Sequence, residues 1–156
     1  MSMTATDTSR LAVPALAPLY DRLSGLMEPA VRVTAGLLLV PHGAQKLFGA
    51  FGGYGIAGTG QFLESVGYHP GWVWALALGL TEFAGGLLLA LGLLTRPVAL
   101  AVFVFLANAV LFHLPNGLFW SDGGFEYPLL WAVVALAFAV RGGGRYSLDA
   151  RLGREV

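Results

Sequence analysis

Residues 72–94 read WVWALALGLTEFAGGLLLALGLL, an apolar run broken by one ionisable side chain, Glu82. About 20 such residues cross a hydrocarbon core as a helix, so this stretch reads as a transmembrane span with a carboxyl near mid-depth. A carboxyl there costs about 2.5–3.5 kcal/mol on insertion scales, so it needs a protein partner, a proton or water, and is a functional candidate by default. Ala75, Gly79, Glu82, Gly86 and Ala90 recur at helical spacing. A stripe of small residues lets another helix come close, so Glu82 is expected to face protein.

Outward from this span lie three more apolar stretches, at about 30–48, 97–114 and 127–140, the last of them short. Pro97 and Pro128 suit first helical turns, where a missing N–H costs nothing. With 56% hydrophobic and 12% charged residues, composition favours a small membrane bundle over a soluble domain. The expected fold is all-α: a four-transmembrane-helix bundle over residues 30–141, preceded by an arm (1–29) and followed by a tail (142–156). The arm, with Pro14 and Pro18, reads as a loose segment or short surface helix without a removable signal.

Placing both termini and the Thr95–Arg96 turn on one side collects Arg10, Arg22, Arg32, Arg96, Arg141, Arg145, Arg151 and Arg154, leaving only Lys46 opposite. The positive-inside rule then makes both termini cytoplasmic. The loop from Gly49 to Gly71, with an amphipathic piece over 59–66, is expected to roof the outer end. Its Gly53, Gly55 and Gly58 match a dinucleotide fingerprint, but that motif works between a strand and a helix, and two spans flank it here. No nucleotide and no nucleic acid are expected. Cysteine is absent, which excludes thiolate catalysis and cysteine-ligated iron–sulfur or zinc sites in this chain alone.

On the first span Pro41 breaks the hydrogen-bond ladder at the Leu37 carbonyl. His42, Gln45 and Lys46 follow on one face. Lys46 reads equally as a snorkelling cation or a site residue. The third span carries Asn108 with Phe105 and Phe112, and the fourth opens with Glu126 and Tyr127. Counted from the outer ends at about 1.5 Å per residue, Glu82 lies roughly 15 Å deep and His42 and Asn108 roughly 9 Å. A carboxyl and an imidazole for proton exchange, amides for carbonyl oxygens and flanking aromatic rings suit a quinone head group. A lipid, another amphiphile or buried waters would use the same residue types. His113 reads as shallow and turned away from Asn108, which argues against a bis-histidine haem, and no close ligand spacing points to a metal.

Taken in order, several segments resemble the DoxX family of small four-helix bacterial and archaeal membrane proteins. They are His42-Gly43-Ala44-Gln45-Lys46-Leu47-Phe48-Gly49, Glu82-Phe83-Ala84-Gly85-Gly86 leading to Gly92-Leu93-Leu94-Thr95-Arg96, Asn108 with His113, Gly124-Phe125-Glu126-Tyr127, and Gly144-Arg145-Tyr146-Ser147-Leu148-Asp149. The resemblance runs from about Gly36 to Asp149. It implies a cytoplasmic-membrane protein linked to redox metabolism, since relatives include a subunit of a thiosulfate:quinone oxidoreductase and a membrane partner in complexes that handle thiol oxidation.

The resulting expectation is a quinone-interacting subunit of an oxidoreductase in the inner membrane. Glu82 and His42 are its candidate catalytic groups, with Lys46, Gln45, Asn108, Phe105, Phe112, Tyr127 and Glu126 around the head group. Other membrane or soluble redox subunits would be its partners, with homo-oligomerisation left open. The rival readings are a non-catalytic anchor subunit, with the polar cluster serving helix packing, and a small transporter or proton pathway with Glu82 as carrier.

Overall fold

A computed structural model describes residues 11–153. The first ten residues of the expected arm, with Arg10, and residues 154–156, with Arg154, lie outside the described residues. Helix α1 spans Ala17–Phe48, α2 Gly55–Ser65, α3 Gly71–Leu91, α4 Thr95–His113, α5 Glu126–Arg141 and α6 Leu148–Leu152. No strand occurs among the described residues. Three helices, α1, α3 and α4, are long and apolar enough to cross a membrane. With 16 residues, α5 is about 24 Å long, short of a hydrocarbon core of about 30 Å.

The first helix differs from expectation. It starts at Ala17, with Pro18 in its first turn, and runs unbroken through Pro29 and Pro41 to Phe48. Each internal proline removes one backbone bond, which a 32-residue helix held along one side by α3 absorbs without ending. The expected span at 72–94 stops at Leu91, because Gly92 takes a left-handed conformation with φ 69° and turns the chain.

Helix α1 packs chiefly on α3, α3 continues onto α4, and α4 packs chiefly on α5, whereas α1 and α5 hardly meet. Helix α2 lies across one end, against α3 and α1. The small-residue stripe of α3 is buried as expected: Ala75, Gly79, Glu82 and Gly86 all face protein. At the crossing, a Cβ added to Gly36 would sit 2.5 Å from the Gly86 carbonyl oxygen, and one added to Gly86 would sit 2.6 Å from the Gly36 carbonyl oxygen. Only hydrogen fits there. Buried side chains are mostly small: Ala35, Leu89, Ala99 and Phe138 form one cluster, and Val102, Leu106, Ala132 and Ala135 another. Large apolar side chains such as Leu100, Val104, Leu130 and Val133 point outward, as a lipid-facing surface requires.

The end opposite α2 is tied by a polar clip. Arg32, 2% exposed, donates through Nη1 to the carbonyls of Leu89 (2.7 Å) and Ala90 (2.6 Å), capping the C-terminus of α3, and through Nη2 to Tyr146 (3.3 Å). The Asp149 carboxylate accepts from the Leu94 N–H (2.8 Å), the Thr95 N–H (2.9 Å) and the Thr95 hydroxyl (2.7 Å), capping the N-terminus of α4. Its own N–H donates to the Gly92 carbonyl at 2.9 Å. The carboxylate thereby holds Leu94, whose φ of 50° is rare for a residue with a side chain. Burial pushes Asp149 up, but the Thr95 and Leu94 hydrogen bonds and the nearby Arg32 guanidinium outweigh it and hold the carboxyl below its ordinary value.

Two outcomes follow for stability in detergent. Gly86→Ala should cost about 1–3 kcal/mol by forcing α1 away from α3. Its neighbour Gly85 leaves a new Cβ at 3.6 Å from the nearest atom, so Gly85→Ala should be neutral or slightly stabilising. Equal shifts in melting temperature would show that the α1–α3 approach is not tight. Because Asp149 is depressed in the fold, its contribution is full above the unfolded carboxylate value of about 4 and fades as pH falls through the lower folded value. Asp149→Asn should therefore cost about 1.5–3 kcal/mol at neutral pH, and its stability should converge with that of the parent in acid; a gap independent of pH would contradict the clip.

Candidate functional site

The α1–α3 crossing decides where the polar side chains meet. Gly36 and Gly43 lie two turns apart on the α1 face against α3, and Lys46 follows one turn beyond, level with Glu82. The Lys46 ammonium lies 2.9 Å from Glu82 Oε1 and 2.7 Å from Oε2, with side-chain exposures of 25% and 4%. The contact to Oε1 is an aligned hydrogen bond. Oε2 is within ion-pair distance yet has no aligned donor, so one carboxylate oxygen keeps acceptor capacity to spare.

This pair sits on the wall of a cavity of about 260 Å³ enclosed by α1, α3, α4 and α5. His42 and Lys46 come from α1, Glu82 from α3, Phe105 and His113 from α4, and Tyr127 and Trp131 from α5. Of the residues proposed from sequence, the cavity thus gathers Glu82, His42, Lys46, Phe105 and Tyr127. His42 is exposed on the isolated chain and stands beside the gap that α1 and α5 leave.

The other four are placed elsewhere. Gln45 donates to the Phe51 carbonyl (3.4 Å) and lines a separate opening of about 730 Å³ among Gly52, Gly53, Tyr54, Thr59 and Gln61. Asn108 is exposed and donates to the Val104 carbonyl, 2.9 Å away and one turn back, a bond that a short amide on a helix makes without any ligand. Asn108 and Phe112 line a lateral groove between α2, α3 and α4. Glu126 accepts from the Trp120 N–H at 2.8 Å and organises the loop before α5.

Three further aromatic or ionisable residues line the cavity that were not expected there: His113, Trp120 and Trp131. The loop from Leu114 to Phe125 folds back so that the Gly123 carbonyl lies 2.6 Å from His113 Nδ1. A carbonyl only accepts, so Nδ1 carries the proton in this bond, and in the neutral ring Nε2 is left as an acceptor. Ring contacts continue from His113 to Trp120 (5.5 Å), Tyr127 (5.2 Å further) and Trp131 (6.1 Å further), forming an aromatic wall. The pairing of His113 with a loop carbonyl has no signature in helical spacing, whereas Trp131, one turn from Tyr127, could have been found as its neighbour on the same face.

The arrangement offers an ammonium, a carboxylate with a free lone pair and two imidazoles, within aromatic and aliphatic walls. Such a site can bind a flat polar ring, neutralise a developing negative charge and exchange protons.

Comparison with known proteins bears on the same residues. The DoxX family model matches residues 29–114, more than half of the chain. That segment includes His42, Lys46 and Glu82 and stops short of the α5 wall. The inner membrane protein YqjF of Escherichia coli (strain K12) is 34% identical over 131 residues, covering 83% of this chain and 89% of that protein. No solved structure matches.

If the ion pair is coupled as the geometry requires, Lys46→Met should destabilise the protein by roughly 2–4 kcal/mol by stranding a buried carboxylate, less than for a fully dry pair because Lys46 is part-exposed. The double variant Lys46→Met/Glu82→Gln should recover much of that loss. Thermal unfolding in detergent reads both, and a double variant no better than the single one would show that the groups act independently.

Proposed function

The chain belongs to the DoxX family and is a multi-pass protein of the inner membrane, and from that premise we propose that it is the membrane subunit of a quinone-linked oxidoreductase, its central cavity taking the quinone head group. The observation that carries this reading is the Lys46–Glu82 pair, with its spare carboxylate lone pair, set into an aromatic-walled cavity inside a lipid-facing bundle. A volume of about 260 Å³ suits a ring-sized group rather than a whole drug-sized ligand, which takes about 300–1,000 Å³. In this reading α5 completes a four-span bundle, both termini are cytoplasmic, and α2 lies on the outer side, as the segregation of Arg32, Arg96, Arg141 and Arg145 from Lys46 supports.

A quinone bound there supplies two-electron, two-proton carrier chemistry, with electrons delivered by a partner redox subunit. Lys46 stabilises negative charge developing on a ring oxygen, at the position where it now meets Glu82. Glu82 and His42 hold and pass the protons, and Phe105, Tyr127 and Trp131 bracket the ring. A quinone carbonyl only accepts, so it would share the Lys46 ammonium with Glu82, and Glu82 would pair with the ligand itself only once a ring hydroxyl has formed.

A second reading has one observation in its favour. Lys46 and Glu82 already satisfy each other between two helices, as a purely structural lock in an anchor subunit would. Quinone content separates the two. Protein extracted in mild detergent should retain quinone, and Glu82→Gln or His42→Ala should lower the retained amount at least about tenfold while the variants stay folded. Parent-like quinone content in both variants, or none in the parent, would leave the anchor reading standing.

A further inference from the structure

A cavity with room for a ring has no room for a chain, and the molecule offers one place beside it where a chain fits. From the turn at Gly92–Thr95, which the Asp149 clip closes, α3 and α4 run toward the α2 end and leave a lateral groove of about 510 Å³ between them, roofed by α2. Its walls are Phe62 and Leu63 of α2, Trp74 and Leu78 of α3, and Val104 and Phe112 of α4. Phe62 meets Phe112 edge-on at 6.0 Å across it, so α2 and α4 are in contact over the groove.

Groove and cavity are continuous. Lys46, Phe105, Ala109 and His113 line both, so the polar end of the groove is the polar wall of the cavity. Resting on the head-group reading above, we infer that this groove seats the long hydrocarbon chain of the same ligand, which makes the ligand class an isoprenoid or alkyl amphiphile reached from the lipid phase and not a water-soluble ring. Charge and polarity are distributed as such a molecule needs: one ammonium and one imidazole at the junction, and beyond it mainly apolar side chains with no charge, the polar groups being Thr59, Tyr68, the Trp74 indole and the exposed amide of Asn108. The gap between α1 and α5 is the competing lipid-side opening, on the other flank of the cavity.

The test uses the full chain in lipid nanodiscs and two probes: a benzoquinone bearing a long isoprenoid chain with a mid-chain diazirine, and a chain-free benzoquinone. Photolysis should label Phe62–Val66 at the end of α2 and the α4 stretch Val104–Phe112, and excess unlabelled long-chain quinone should suppress that labelling. Ala77, exposed on the groove wall and outside the cavity, allows a fill: Ala77→Trp should weaken the long-chain probe at least about tenfold and the chain-free one less than about twofold. Competable labelling at Leu38 or Val134, beside the α1–α5 gap, would overturn the groove and leave the head-group cavity intact, as would equal effects of Ala77→Trp on both probes. If neither probe binds the parent protein, the head-group reading falls, and the groove falls with it.

Discussion

Where Gly36 of α1 faces Gly86 of α3, the two backbones come so close that a single methyl on either would strike a carbonyl oxygen. Within lipid there is no hydrophobic drive to join helices, so van der Waals contact along such glycine stripes has to hold them. This crossing also fixes the register between α1 and α3. Nearly four turns separate Lys46 from Arg32 along α1 at 3.6 residues per turn, roughly 21 Å, and the crossing places the first beside Glu82 and the second under the carbonyls of Leu89 and Ala90. One steric constraint therefore positions both an ion pair at one end and a helix cap at the other.

The two polar clusters have different characters. At the clip, most donors and acceptors are matched, with Arg32 Nε the exception among the described residues: Asp149 accepts three bonds, Arg32 donates three, and Ser147 caps α6 by accepting from the Ala150 N–H at 3.1 Å. Such saturation suits a fixed joint. At the Lys46–Glu82 pair, a carboxylate oxygen is left without an aligned donor, a quarter of the lysine side chain is exposed, and three openings converge on the ammonium. Incomplete satisfaction at a place reached from several sides is what a binding site needs and a structural lock does not.

Much of the fold was legible because its signals are periodic. The stripe from Ala75 to Ala90 could be read from helical spacing alone, and so could the inward direction of Glu82. The length of α1 was not, since Pro14 and Pro18 made the arm read as loose, whereas Pro18 falls in the first turn of α1, where its missing N–H costs nothing. Of the candidate site residues, Glu82, His42, Lys46, Phe105 and Tyr127 line one cavity. Gln45, Asn108 and Glu126 lie away from it, because each meets its need within a few residues: a loop carbonyl, the preceding helical turn, a neighbouring N–H. Lys46 could have gone either way, for nothing on one helix says which residue of another will stand opposite. The role of Arg32 was hidden similarly; it counted as a flanking charge, yet a backbone end of α3 lay within its reach.

From His42 and Glu82 toward the Arg32 clip, the facing parts of the four bundle helices carry no ionisable side chain: Ala35, Leu39, Leu89, Val102 and Ala135 line the cavity there. This stretch offers a hydrogen ion no ionisable group to carry it. Under the proposed function and orientation, hydrogen ions consumed or released at the cavity would therefore exchange on the side of Lys46 with the outer compartment, and would add to the transmembrane gradient, or draw on it, with no carrier group leading to the cytoplasm.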